Sequence, residues 1–262
     1  MVDTGLAYAR KGLVGLLTPQ ANTTVEPEFA ILCPPGYTAI NGRLTSPASQ
    51  MLDRLSAYFS DLESQIARFS NAPIDAYAFA CTGSSYLVGR EAEKELCAEI
   101  EARTGRPFIA AARAVGEAMT VLGAERIGLI SPYPPELDRA STAYWTSCGF
   151  EASEAINISD ASAPHPIYGI SADRTLEAIR DMKGRAVDAI ILLGTGLPTL
   201  GLILETAIGD GPPVLSSMLA LAWRTIVALD GRMPEQNDLR RWIAGEVWAD
   251  RFKRSVVSSV VS

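Results

Sequence analysis

Asp75-Ala76-Tyr77-Ala78-Phe79-Ala80-Cys81-Thr82-Gly83 and Asp188-Ala189-Ile190-Ile191-Leu192-Leu193-Gly194-Thr195-Gly196 follow one template. Each has an acidic residue, an apolar run of strand length and a turn ending in Thr-Gly, and the copies lie 113 positions apart. Gly15-Leu16-Leu17-Thr18-Pro19 returns at the same spacing as Gly128-Leu129-Ile130-Ser131-Pro132, and Gly36-Tyr37 returns as Gly149-Phe150. One short match arises by chance, whereas three at a single ungapped offset mark a duplicated unit of about 110 residues.

Within each half, short apolar runs alternate with amphipathic stretches. Leu13–Leu17, Thr38–Asn41, Tyr77–Ala80 and Phe108–Ala110 read as strands of the first half. Ile127–Ile130, Ala152–Ile156, Ala189–Leu193 and Val214–Leu215 read as strands of the second. Met51–Phe69, Tyr86–Arg103, Pro135–Cys148 and Ala172–Lys183 read as helices. Strand–helix alternation predicts parallel sheets covered by helices, so the fold class is α/β with two pseudo-symmetric lobes. Residues 1–113 are expected to form the first lobe and 114–216 the second. The segment 217–262, with Trp223, Trp242 and Trp248, is expected to be helical and to pack back on the first lobe, fraying over Ser255–Ser262.

Composition narrows the function classes. With 48% hydrophobic and 20% charged residues, the 262-residue chain has the material for a core and is not a disordered tail. Its 23 basic and 30 acidic residues give a net charge of −7, with no basic run, which argues against nucleic acid as a partner. Four scattered cysteines make no disulfide framework. The absence of an apolar signal core or a membrane-length stretch predicts a reduced, soluble, cytoplasmic protein with no membrane partner. A homo-oligomer is the expected assembly.

Ligands of open parallel sheets collect beyond the carboxyl ends of the strands, so the two repeated turns should face one cleft between the lobes. Cys81 and Gly194 then become counterparts on opposite sides. Cys81 closes a strand and precedes Thr82-Gly83-Ser84-Ser85 and a helical pattern, where backbone amides favour thiolate and make a nucleophile. The helix field alone is worth about 0.3–1 kcal/mol, so Thr82, Ser84 and the local amides, including that of Gly83, would have to help. An activated Cys81 should label selectively near pH 7. Cys33, Cys97 and Cys148 read as structural filler.

Asn22 sits in Pro19-Gln20-Ala21-Asn22-Thr23-Thr24-Val25-Glu26, where Thr23 and Glu26 have capping-box spacing. It is either a turn residue or a carboxylate binder. Tyr133 occupies the matching loop of the second half and is either a rim aromatic or a hydrogen-bond donor to the same anion. His165, between two prolines, is either a solvated loop residue or an acid reaching the cleft. Arg43 could pair with a carboxylate or be solvated. Gly194-Thr195-Gly196 begins like a dinucleotide fingerprint but lacks its third glycine, and there is no phosphate-loop motif or nucleophile elbow. One histidine and scattered cysteines make zinc improbable, so the chemistry is expected to need no cofactor.

These residues resemble the aspartate/glutamate racemase superfamily. Asn22-Thr23-Thr24-Val25-Glu26-Pro27-Glu28, Ser131-Pro132-Tyr133 and Leu197-Pro198-Thr199-Leu200 are most similar to maleate cis–trans isomerases, with arylmalonate decarboxylases next. The resemblance implies that Cys81 is the nucleophile and that Asn22 and Tyr133 bind substrate carboxylates. It also implies that the isomerases' second cysteine falls at Gly194, and that a substrate-binding asparagine falls at His165. Arylmalonate decarboxylases carry their one cysteine in the second lobe, so this chain mirrors them.

A single thiol disfavours two-base racemisation, and the Thr195 hydroxyl is too weak to replace the missing sulfur. One thiol suffices to add to a small unsaturated dicarboxylate, held by Asn22, Tyr133, Thr82 and the Gly194-Thr195-Gly196 turn, and then to eliminate. It also suffices for one-face protonation after decarboxylation of an arylmalonate. A thiol-dependent hydrolase and a non-catalytic module binding small acids are the remaining readings.

Overall fold

The computed structural model describes residues 5–160, 165, 167–207 and 211–258. The first lobe places β1 (Gly12–Pro19), β2 (Tyr37–Leu44), β3 (Ala76–Phe79) and β4 (Phe108–Ala110) in a parallel sheet of order β2-β1-β3-β4. The second repeats it with β5 (Arg126–Ser131), β6 (Glu151–Asn157), β7 (Ala189–Leu192) and β8 (Val214–Ser216), in the order β6-β5-β7-β8. The sequence repeat is thus a repeat of topology. Every residue of β1, β3 and β7 is buried, as parallel strands covered on both faces require.

The helices are α1 (Val25–Leu32), α2 (Met51–Ser60), α3 (Leu62–Ala67), α4 (Thr82–Val88), α5 (Arg90–Thr104), α6 (Ala111–Leu122), α7 (Pro135–Ser147), α8 (Ala172–Lys183), α9 (Leu200–Thr206), α10 (Ser217–Leu229), α11 (Gln236–Ile243) and α12 (Ala249–Ser258). Two expected helices are each divided. Met51–Phe69 breaks at Asp61, whose φ of −98° and ψ of 9° leave the helical region. Tyr86–Arg103 gives way to α4 and α5, hinged at Gly89, whose φ of 83° is open to glycine at little cost. The first of them also starts earlier than expected, directly after Cys81.

One core cluster runs without interruption through β1 and β3, the strands of the second sheet and α10. A second cluster fills the space between the first sheet and α2, α3 and α5. From the C-terminal segment, α10 packs on α1, α6, β3 and β4, while α12 touches α1 and α9. The expected fraying over Ser255–Ser262 meets a helix as far as Ser258, and the last four residues lie outside the described ones. Among the described residues, no helix is long and apolar enough to cross a membrane.

Candidate active site

The carboxyl ends of the two sheets face each other, and their turns are bonded across the seam. Thr195 Oγ1 donates to the Ala80 carbonyl at 2.8 Å, and Thr24 Oγ1 donates to the Gly196 carbonyl at 2.7 Å. Between these turns lies a cavity of about 100 Å³, walled by Asn22, Cys81, Thr82, Gly83, Tyr133 and the Gly194-Thr195-Gly196 turn. Met51, Arg54, Leu55 and Tyr58 of α2, with Leu137, Ile167 and Tyr168, complete the wall.

Cys81 is 3% exposed and is the one cysteine of the chain in this wall. Its Sγ lies 3.1 Å from Ser84 Oγ, which stands behind the thiol and donates to the Leu55 carbonyl at 2.7 Å. Burial pushes the Cys81 thiol above its ordinary value, opposed by the Ser84 hydroxyl and the amides of Ser84 and Gly83. Desolvation outweighs the local donors and favours the neutral thiol at rest. Burial likewise lifts Cys33 and Cys97 to about 12.

Asn22 caps α1. Its Oδ1 accepts from Thr24 N at 2.9 Å and Val25 N at 3.1 Å, while Nδ2 donates to Thr195 Oγ1 at 3.3 Å. This replaces the expected capping box, because Asn22 rather than Thr23 satisfies the free amides. The two Oδ1 bonds fix the amide orientation and leave one Nδ2 hydrogen for a ligand. Tyr133 is 3% exposed, and its hydroxyl shares a 2.8 Å bond with Thr82 Oγ1. Asn157 Nδ2, donating to the Tyr133 carbonyl at 2.9 Å, holds that loop. Gly194 has a φ of 86°, and a Cβ there would lie 3.1 Å from the Tyr133 hydroxyl. An L-residue would add about 1–2 kcal/mol of backbone strain to that crowding. The empty place opposite Cys81 is therefore built into the turn and filled by the tyrosine.

The structure does not bring His165 to this cavity. It is exposed, and its carbonyl closes a turn by accepting from Gly169 N at 2.9 Å. Three residues on, Tyr168 takes the place in the wall, packed against Gly196 so closely that a Cβ on the glycine would lie 2.5 Å from the ring. Arg43 is also spent elsewhere: it donates to the Pro19 and Asn22 carbonyls at 3.2 and 2.8 Å and pairs with Glu26, clamping the Asn22 turn.

Sequence reasoning missed Arg54, Tyr58 and Tyr168. The α2 pair had a signal: Met51, Arg54, Leu55 and Tyr58 follow helical spacing, so one apolar face carries a cation and a phenol. Among the described residues, no group of three His, Cys, Asp or Glu side chains is placed to hold a metal ion.

Two duplicated parallel-sheet lobes, with their strand ends closed on a shared cavity and a cysteine in its wall, define the Asp/Glu racemase-like class of α/β proteins. The chain belongs to the arylmalonate decarboxylase family, whose model matches residues 14–239. It is also similar to a maleate isomerase of Pseudomonas putida, 26% identical over 236 residues that cover 83% of this chain and 91% of the other. Among solved structures, a cysteine-to-alanine variant of the maleate isomerase Iso from Pseudomonas putida S16 with maleate superposes with a TM-score of 0.77. That match is at 22% identity and covers 89% of this chain and 98% of the other. A cysteine-to-serine mutant of the Nocardia farcinica maleate cis–trans isomerase, with a covalently bound succinylcysteine intermediate, gives 0.74 at 22% identity, covering 88% and 98%.

Proposed function

We propose that the chain is a cysteine-dependent cis–trans isomerase of a small cis-enedioate such as maleate, working through a covalent adduct at Cys81. The observation that carries this reading is the Cys81 thiol in the wall of a cavity that also presents Asn22, Thr82 and Tyr133. In the reaction the S–H bond adds across the double bond: sulfur bonds to one olefinic carbon and the thiol proton ends on the other. Asn22 Nδ2 and the Tyr133 and Thr82 hydroxyls stabilise the enediolate that forms between these two events. The former double bond is then single and rotates. Loss of the proton from one carbon and of sulfur from the other releases the trans acid and regenerates the thiol, with no net proton consumed.

The relatives named maleate isomerase support this substrate class, and the succinylcysteine held by one of them is the adduct this route requires. Family membership also supports a decarboxylase reading, in which Cys81 protonates an enediolate from one face. The relatives named maleate isomerase favour the four-carbon acid over an aryl-substituted malonate. The four free thiols are in keeping with action in the reducing cytoplasm.

Incubation with maleate, followed by proton NMR, should show fumarate with the natural chain and none above background with Cys81→Ala. Carbon dioxide released from an arylmalonate, with maleate untouched, would replace this reading with the decarboxylase one.

A further inference from the structure

We propose that Arg54, carried on α2, docks the second carboxylate of the substrate and makes the cavity selective for dicarboxylic over monocarboxylic acids. This rests on the reading of the cavity as a small-acid site and adds which acids it takes. Among the described residues, Arg54 is the one charged side chain in the wall, and no carboxylate faces it there. An anion entering the cavity therefore meets a single, uncompensated cation.

The guanidinium is held in place. Its Nη1 donates to the carbonyls of Ala48 and Ser49, at 3.2 and 2.6 Å, so the loop before α2 fixes one edge of the fork. Three further N–H donors, on Nε and Nη2, complete the group, and the guanidinium also donates a hydrogen bond to the Tyr58 phenol beside it in the wall. The planar fork suits a carboxylate, which accepts two parallel hydrogen bonds from it.

Arg54 and the thiol share one small space. Burial raises the Tyr58 phenol's pKa; the Cys81 sulfur raises it further, while the Arg54 guanidinium lowers it. Tyr168, pushed by burial to about 12, feels Cys81 and Arg54 in the same opposing senses. A cation in the wall of the thiol's cavity is placed to act on an anion that binds there. One carboxylate of a four-carbon diacid would lie with Asn22 and Tyr133 and the other at Arg54, with the reacting carbons between them at Cys81.

Succinate and butyrate, which differ by one carboxylate and cannot react, separate this role from a structural one. Calorimetry on the full chain should show succinate binding at least about tenfold tighter than butyrate. Arg54→Met should weaken succinate by about 10- to 100-fold, the range for a hydrogen-bonded charge, while butyrate changes less than about twofold. Arg54→Lys should recover part of the loss. Equal weakening of both acids would assign Arg54 to holding the Ala48–Ser49 loop and overturn the proposal. Unchanged succinate binding, or none by the natural chain, would overturn it as well. Selective succinate binding without maleate turnover would leave the clamp standing and remove the isomerase reading.

Discussion

The Ser84 hydroxyl has one proton, and its two neighbours compete for it. The Leu55 carbonyl can only accept, so in the resting state that proton goes to Leu55 and Cys81 donates its own to Ser84 Oγ. Forming the thiolate requires Ser84 to turn its hydrogen from the backbone of α2 to the sulfur. Burial then opposes the charge, while the Gly83 and Ser84 amides favour it. A charge-assisted hydrogen bond is worth about 1.5–3 kcal/mol, or roughly one to two pKa units. Alkylation of Cys81 in the free protein should therefore be slow at pH 7 and should quicken as pH rises past the ordinary thiol value of 9.0. In Ser84→Ala the midpoint should move higher by about one unit or more. Peptide mass spectrometry of iodoacetamide labelling against pH reads both midpoints, and a variant midpoint equal to or below the natural one would show that Ser84 does not support the thiolate.

The seam between α1 and α9 contains a carboxyl that titrates. Glu28 is 6% exposed and accepts from Thr199 N at 2.6 Å, Leu200 N at 3.2 Å and Thr199 Oγ1 at 3.1 Å. Burial nevertheless lifts it from 4.5 to about 7, with these donors opposing. Between those two values the folded protein keeps a proton that the unfolded chain has lost. The stability this confers is complete below 4.5, declines as pH rises through the window and is gone above about 7. It amounts to on the order of 3 kcal/mol, so Glu28→Gln should remove a pH dependence of that size. Urea titrations at pH 5 and pH 8 check this: the natural chain minus the variant should fall by that amount, and a constant difference would exclude titration at Glu28. The strands and the duplicated turns were legible because their side chains are apolar and alternate with helices in both halves. The seam was not: Glu28 and Thr199 are 171 positions apart, and neither residue's local pattern points to the other. The same holds within the cavity. Cys81 and Tyr133 lie at repeated strand ends, whereas Tyr168 comes from a loop whose path no periodicity sets, and His165 was offered against a solvated role on its residue type and on the position where the resemblance puts an asparagine.

At the scale of the whole molecule, the duplication made two sheets but not two independent folding units. The larger core joins β1 and β3 to the second sheet through α10. Met218, Leu219, Leu221, Trp223, Ile226 and Val227 of that helix are all 3% exposed or less. Burying such side chains stabilises by about 1.5–3 kcal/mol each, so together they contribute on the order of 10 kcal/mol before the entropy of ordering them is subtracted. That is comparable to the roughly 5–15 kcal/mol separating a typical folded domain from its unfolded chain. Loss of this helix would open the shared core, and the hydrogen bonds across the seam tie the cavity walls to the same unit. Unfolding in urea should therefore be a single transition. Tryptophan fluorescence reports Trp145 in the second lobe and Trp223, Trp242 and Trp248 in the C-terminal segment, all buried, while far-ultraviolet circular dichroism reports helices of both lobes. The two signals should share one midpoint. A fluorescence transition completed while part of the helical signal persists would mean that the first lobe stands without α10, and that the shared core does not govern the stability of the molecule.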